Sequence, residues 1–416
     1  MLSTYHLKFS TTMKCKIETL TPCHIGSGIK LVKDIDFVSN GQLIGVISTT
    51  ELYKLLGDDG INDLCEAIQS NVSIWEVIQK YNSQLNIETM FSRPLAQDDD
   101  AQLPMASLFS RTIKIQGASC RELSEHIASN GVPYIPGSSI KGAIVSAIVG
   151  ACREKVKLPS EAKDLKSAHN IVAEQMLVKP TEKKDGKIVY DPKNSNLRFL
   201  RVGDAYFDGA DSVAIESYSL NLREQQPLID KSAHMLVESI DKGCEATFDL
   251  QLRADLHQLC GDNVLPLPDA LQSEENLFAA INSQTLRLLE EELRFWEEQK
   301  GRDYYHLNED DRVAIESYLM SIQNILNECA RCRDYEAVLR IGYGSGWNFT
   351  TGGWIDRDDD MWDKVLSLAR PEPTKRGDSE ASEVSSESRY AQYDFPKTRR
   401  VGYVRPFGFV KISRLD

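Results

Sequence analysis

Polar and apolar residues alternate from Lys14 to Leu20, and the alternation breaks at Thr21-Pro22 into the small-residue run Cys23-His-Ile-Gly-Ser-Gly28. Alternation ended by a turn signal predicts a strand feeding a glycine-rich loop. Asp34 to Val38 and Leu43 to Ile47 flank Ser39-Asn-Gly-Gln42, where the Asn-Gly pair predicts a tight hairpin with positive-φ residues at its tip. Ser48-Thr-Thr-Glu51 has the hydroxyl-to-carboxylate spacing of a capping box ahead of Leu52, Leu55 and Leu56, so a helix is expected to begin there.

Thr112 to Gln116 reads as another strand, and Pro133-Tyr-Ile-Pro136 carries an extended segment into a Gly-Ser-Ser turn. After it Ile140, Ala143, Ile144, Ala147 and Ile148 recur at helical spacing, which gives the order strand, loop, helix. Leu197 to Phe207 reads as one strand with Asp204 inside it, while Met235 to Ile240 and Glu245 to Leu252 read as a second hairpin about Asp241-Lys-Gly-Cys244. Leu286, Leu289, Leu293 and Trp296, then Ile315, Leu319, Ile322 and Ile325, mark two core helices. Pro371 to Pro396 has almost no aliphatic residues and is expected to be a mobile loop. The apolar run Phe407 to Ile412 that follows predicts a last strand completing a sheet begun earlier.

Mixed strands and helices without strict βαβ alternation indicate an α+β fold with helices on one face of the sheets. A chain of 416 residues suggests two or three compact units. The expected division is 1–225 and 226–416, with a helical insertion over 275–335 and the mobile loop over 371–396.

The longest strongly apolar stretch, Ala143 to Cys152, is about half the roughly 20 residues that span a bilayer, and Met1 to Ser10 lacks a secretory pattern. A cytoplasmic protein with no membrane contact is expected. Nine cysteines without a repeating pattern fit reduced thiols. Cys329 and Cys332 form the only close pair of metal-ligand type and no second pair follows, so no metal is expected.

A net charge of −14 argues against nucleic acid if averaged over the surface, because phosphate binding rests on Lys and Arg. Local distribution changes that. Basic residues outnumber acidic ones from Lys179 to Arg201, and six basic residues with no acidic one run from Lys397 to Arg414. The acidic runs Glu290 to Glu298 and Asp356 to Asp360 read as solvated or partner-facing surface.

Gly137-Ser-Ser-Ile-Lys-Gly142 stands where an extended segment enters a helix, so free amides and the positive end of the dipole suit an anion. Ser138 and Ser139 would donate hydroxyls, Lys141 charge, and Gly137 and Gly142 close access. A nucleotide-binding P-loop needs Ser or Thr after Gly-Lys, whereas Lys141 here precedes Gly142 and Ala143. An RNA phosphate is the better candidate. Companion sites are His24, Gly26, Ser27 and Gly28 in the first loop, and Arg340, Gly344, Ser345, Gly346 and Trp347 in Arg340-Ile-Gly-Tyr-Gly-Ser-Gly-Trp347. Tyr343 and Trp347 either stack on bases or bracket a turn as core aromatics. Arg399 and Arg400 are further phosphate candidates. As a general base His24 has no second His, Tyr or Lys close in sequence, and Asp34, Asp36 and Asp191 sit in no catalytic motif, so no catalytic residue and no cofactor are expected.

Leu20-Thr-Pro-Cys-His-Ile-Gly-Ser-Gly28, Tyr134-Ile-Pro-Gly-Ser-Ser-Ile-Lys-Gly142, Arg201-Val-Gly-Asp204, Arg340 to Trp347 and Pro406-Phe-Gly-Phe-Val-Lys411 together resemble the RAMP superfamily of CRISPR-associated proteins. More narrowly, they are similar to the end-capping subunits of type III-A (Csm) effector complexes. The resemblance implies two RRM-like, ferredoxin-like modules with glycine-rich loops and helical insertions. It also implies a non-catalytic protein that holds CRISPR RNA (crRNA) near its 3′ end, beside a neighbouring backbone RAMP subunit, the small subunit and target RNA at the complex head. A part in crRNA maturation, with host nucleases trimming the 3′ end, belongs to the same implication. The alternatives are a subunit of the related Cmr-type complex, a RAMP endoribonuclease using His24, and a protein-only scaffold.

Overall fold

The structure, a computed structural model, describes residues 12–70, 72–81, 108–118, 120–155, 162, 164–182, 188–222, 226–301, 306–356, 362–368, 396 and 398–415. The loop expected over 371–396, Pro396 excepted, and residues 357–360 of the second acidic run lie outside the described residues.

An eight-stranded sheet is centred on β1 (Met13–Thr19), which pairs antiparallel with β15 (Glu245–Leu252) and β19 (Phe409–Arg414). At one end β16 (Glu336–Arg340) pairs with β19. On the other side of β15 lie β11 (Leu200–Val202) and β12 (Ala205–Tyr206), followed by β8 (Val132–Ile135) and β7 (Ala128–Ser129). A nine-stranded sheet runs β2 (Gly26–Val32), β6 (Glu122–His126), β14 (Ile229–Ile240), β13 (Ser212–Asn221), β5 (Phe109–Gln116), β4 (Leu43–Ile47), β3 (Phe37–Ser39). It is mixed, because β5 is parallel to β13 and β6 to β14. One edge of β13 is shared, first with β5 and then with β17 (Thr398–Gly402), which in turn pairs with β18 (Arg405–Pro406).

Both sheets therefore take strands from both parts of the chain. The division expected at 225/226 falls between β13 and β14, which pair with each other. The hairpin expected about Asp241–Cys244 is replaced by a handover: β14 belongs to the nine-stranded sheet and β15 to the eight-stranded one. The burial of the strands explains it. Leu236 to Ile240 are buried without interruption, as in a strand covered on both faces, whereas β15 alternates buried and exposed.

Three local expectations also change. In the β3–β4 turn only Gly41 has positive φ (91°); Asn40 instead accepts from the amides of Gln42 and Leu43 through its side chain, an Asx turn that needs no second positive φ. Leu197 to Phe207 is a 3-10 turn followed by two short strands, interrupted where the Gly203 amide donates to Asp249 O. The helix Thr49–Gln69 starts on Ser48, whose hydroxyl accepts from the Glu51 amide, but the Glu51 carboxylate pairs with Lys54 instead of closing the box.

One face of the eight-stranded sheet, through Cys15, Ile17, Ala246, Phe248 and Leu250, packs on Ile140, Ile144, Ala147 and Ile148 of the helix Gly137–Ala151. Burying each of those isoleucines stabilises the fold by about 1.5–3 kcal/mol. Leu277, Phe278 and Ile281 of the helix Glu274–Gly301 complete that core. The same long helix packs through Leu289 and Trp296 on Ile315, Tyr318 and Ile322 of the helix Glu309–Ala330, and the pair covers Val338 and Phe409 at one corner of the opposite face. No helix among the described residues is long and apolar enough to cross a membrane.

Candidate functional site

The glycine-bearing segments, far apart in sequence, are stitched to one another by backbone hydrogen bonds. Tyr343 N donates to His24 O at 2.9 Å, Ile341 N to Gly408 O at 2.8 Å, and Gly408 N to Pro22 O at 2.9 Å. Gly342 makes the approach feasible, with φ 72° and a hypothetical Cβ only 2.4 Å from His24 O. No larger residue fits there.

His24 is 2% exposed. Its Nδ1–H donates to Glu238 O at 2.5 Å, which leaves Nε2 to accept from the Ser124 hydroxyl at 3.3 Å. His126 packs edge-on against it with ring centroids 5.7 Å apart; its Nδ1 accepts from the Ile25 amide and its Nε2–H donates to Tyr134 O, each at 3.2 Å. Both rings are neutral in this arrangement. Burial holds His24 below its ordinary value, and burial, helped by His24 and Arg111, brings His126 down to about 3. Beneath them Arg111 is bidentate to Glu238 and also reaches Glu125, which accepts from the Ser27 hydroxyl at 3.0 Å. The loop's serine is thus tied to the sheet, while Gly26 and Gly28 remain exposed. Nothing in sequence spacing relates His126, Glu238 or Arg111 to His24; the sheet alone assembles them.

At the helix start, Gly137 N donates to Asp204 Oδ1 at 2.7 Å, and a Cβ on Gly137 would lie 2.3 Å from Val202 O. Asp204 supplies the first amide with its anion, a role foreshadowed only by the Arg201-Val-Gly-Asp204 island. Lys141 was expected to offer charge to a phosphate; instead its Nζ donates to Leu197 O and Leu200 O, both at 2.8 Å. Burial and the neighbouring Arg201 lower its pKa, since neither favours the ammonium form. Ser138 and Gly142 are exposed and Ser139 is half-buried. Ser146 Oγ donates to Thr350 O at 2.7 Å and links this helix to the turn Gly346–Thr350.

Two of the three other cationic candidates are also turned inward. Arg340, 4% exposed, donates to Phe407 O and Gly344 O and lies over the rings of Phe349 and Phe409. Arg399, 5% exposed, is bidentate to Glu292, so the acidic run expected on the surface has one buried member. Tyr343 faces His24 and Phe407 edge-on and its hydroxyl meets Ser217 at 3.0 Å; Trp347 is half-buried beside Trp362 and Gly352. Of their two readings, core aromatics bracketing a turn describes this geometry. Ser345 is buried on Gly342 O, Gly344 packs on Phe407, and Gly346 is exposed. Arg400 keeps a half-exposed guanidinium with one bond to Ala233 O.

A family model described as the RAMP superfamily matches residues 16–399. A chain of the cryo-EM structure of a Csm-crRNA-target RNA ternary complex, from a type III-A CRISPR-Cas system, superposes with a TM-score of 0.65 at 20% identity, covering 97% of this chain and 100% of that one. The crystal structure of T. onnurineus Csm5 gives 0.60 at 18% identity, covering 95% and 99%. No curated protein matches. At such identities the structural likeness is one of fold, and it extends over nearly the whole chain. Glycine loops stitched across two sheets, a family match over most of the sequence and a common fold lead to one statement: this chain belongs to the RAMP superfamily.

Proposed function

We propose that the chain is a non-catalytic, RNA-binding subunit of a type III-A CRISPR (Csm) effector complex that caps the 3′-end side of the crRNA and supports its maturation. The observation that carries this reading is the junction of the glycine loops at Tyr343 N and His24 O, with exposed glycines in both of the joined loops. Gly26, Gly28, Ser138, Gly142 and Gly346 are exposed, and Ser27, Ser139 and Arg400 are half-exposed. Small residues and backbone amides suit a sugar-phosphate chain, which they position without reading its sequence. The two sheets correspond in this reading to the two RRM-like modules. A neighbouring backbone RAMP subunit, the small subunit, target RNA and a trimming nuclease are its partners.

The burial of His24 supports the non-catalytic part. A general base toward a 2′-hydroxyl must reach its substrate, and both ring nitrogens of His24 are engaged inside the protein. Reconstituting the complex with and without this chain tests the proposal. One copy per complex is expected, and its omission should leave guides untrimmed at the 3′ end. Unchanged guide length without it, or RNA cleavage by the purified chain that His24→Ala abolishes, would overturn it.

A further inference from the structure

Across the open face of the eight-stranded sheet the pairing register aligns one row of residues. Tyr134 on β8 stands opposite Tyr206 on β12, Tyr206 opposite Thr247 on β15, and Thr247 opposite Lys16 on β1. The two tyrosines are stacked, centroids 5.1 Å apart and planes 19° from parallel, and Tyr206 is 47% exposed. One ring face of Tyr206 is occupied by Tyr134. On its other side the next side chain is the small, exposed Thr247, and the Lys16 ammonium beyond is held by Glu245 and Glu18. The result is a slot floored by Thr247 and open to solvent, with the Tyr206 ring as one wall and Lys16, two strand spacings or roughly 9.6 Å away, as the other.

We infer that this slot is a stacking site for a nucleobase of single-stranded RNA. The inference rests on the RNA-binding reading and deepens it. A flat ring with an open side, beside a small residue, accommodates a base of any identity, because every base has a π-face. Most cations nearby are already committed: Lys14 pairs with Asp249 and Lys16 with Glu245. Arg201 is the exception. It is exposed, its side chain has no hydrogen bond or ion pair among the described residues, and it stands opposite Gln251 on the same face. Gln251 is four residues along β15 from Thr247, about 13 Å away. That separation places Arg201 within reach of a phosphate one or two nucleotides from the stacked base. The slot is continuous with the helix start, since Tyr134 leads into Pro136-Gly137 and Tyr206 follows the Asp204 that caps Gly137.

Fluorescence anisotropy on the purified full chain tests this, with a labelled oligouridylate of about ten nucleotides and a ribose-phosphate oligomer of the same length that lacks bases. Tyr206→Ala should weaken oligouridylate binding roughly ten- to a hundredfold and leave the abasic oligomer unaffected, while Tyr206→Phe, which keeps the ring, should bind as the parent does. Arg201→Ala should weaken both probes and reduce the salt dependence by about one unit of slope. If the parent binds oligouridylate and Tyr206→Ala binds it equally well, the slot is refuted and the RNA-binding reading stands. If the parent retains neither probe, the RNA-binding reading falls, and the slot with it.

Discussion

Glu292 and Arg399, 107 positions apart, form a buried bidentate pair: Nε meets Oε1 at 2.6 Å and Nη2 meets Oε2 at 2.7 Å. The indole of Trp296 and the hydroxyl of Tyr318 also donate to Oε1, at 3.0 and 2.8 Å. This pair fastens β17 to the helix Glu274–Gly301, and it turns the Arg399 guanidinium into the interior, 5% exposed.

Removing one partner strands the other in a dry interior. Arg399→Met is expected to lose about 3–5 kcal/mol of unfolding free energy in urea. The double variant Glu292→Met, Arg399→Met should recover part of that loss, because the stranded carboxylate is gone and only buried Arg340, whose guanidinium also faces Glu292, is left without an anion. An unchanged midpoint for the single variant would show that the pair contributes nothing to stability.

The His24–His126 pair sets a pH dependence. His126 has a folded pKa near 3 against an ordinary 6.5, and His24 is shifted the same way, so the unfolded chain binds more protons between those values. Their contribution is complete above about pH 6.5 and declines as pH falls, by up to about 1.4 kcal/mol per pH unit for each ring. Glu292 adds a second decline at lower pH. Burial alone would raise its carboxyl, but Arg399, with Arg340 and Tyr318, outweighs burial and brings it to about 2 from 4.5. Thermal melts between pH 7 and 5 should therefore report the His24 and His126 rings together with His169, which burial shifts the same way, and His126→Gln should reduce that slope; an equal slope would assign it elsewhere.

Lys141 tests whether the motif's cation serves the fold. Lys141→Met keeps the aliphatic stem but removes both bonds to Leu197 O and Leu200 O, and should cost about 1–3 kcal/mol. Lys141→Glu should be worse, because it sets a carboxylate against two carbonyl oxygens. Denaturation curves matching the parent for both variants would return Lys141 to the role of an RNA contact.

Gly137→Ala tests the packing at the helix start. Its Cβ would meet the backbone oxygen of Val202 at 2.3 Å, and backbone cannot swing aside as a side chain can. A loss of about 1–3 kcal/mol is expected. Gly142→Ala, inside the same helix with nothing within 4 Å of the added carbon, serves as the control and should gain about 0.5–1 kcal/mol from helix propensity.

Much of this molecule is local and was therefore legible in the sequence. The helix after Pro136 follows from Ile140, Ile144, Ala147 and Ile148 at helical spacing, and all four are buried on one side. The two long helices follow from the same spacing, the strand before Cys23 from polar and apolar alternation, and the last strand from its apolar run. The glycine islands were legible because a close backbone approach, as at Gly342 and Gly137, restricts composition to the smallest residue.

Tertiary structure decided which sheet each strand joined and which charges were spent on folding. The turn at Asp241–Cys244 looks like any hairpin turn, and only the uninterrupted burial of Leu236 to Ile240 sends β14 and β15 to different sheets. Lys141, Arg340 and Arg399 have the composition of phosphate contacts, yet carbonyl oxygens and a carboxylate supplied from 56 to 107 positions away claim all three. The slot beside Tyr206 arises the same way, from a register that aligns residues of four strands. Spacing along a chain specifies how a segment folds against itself. The neighbour that neutralises a charge or flanks a ring is set by long-range pairing, which no local pattern encodes.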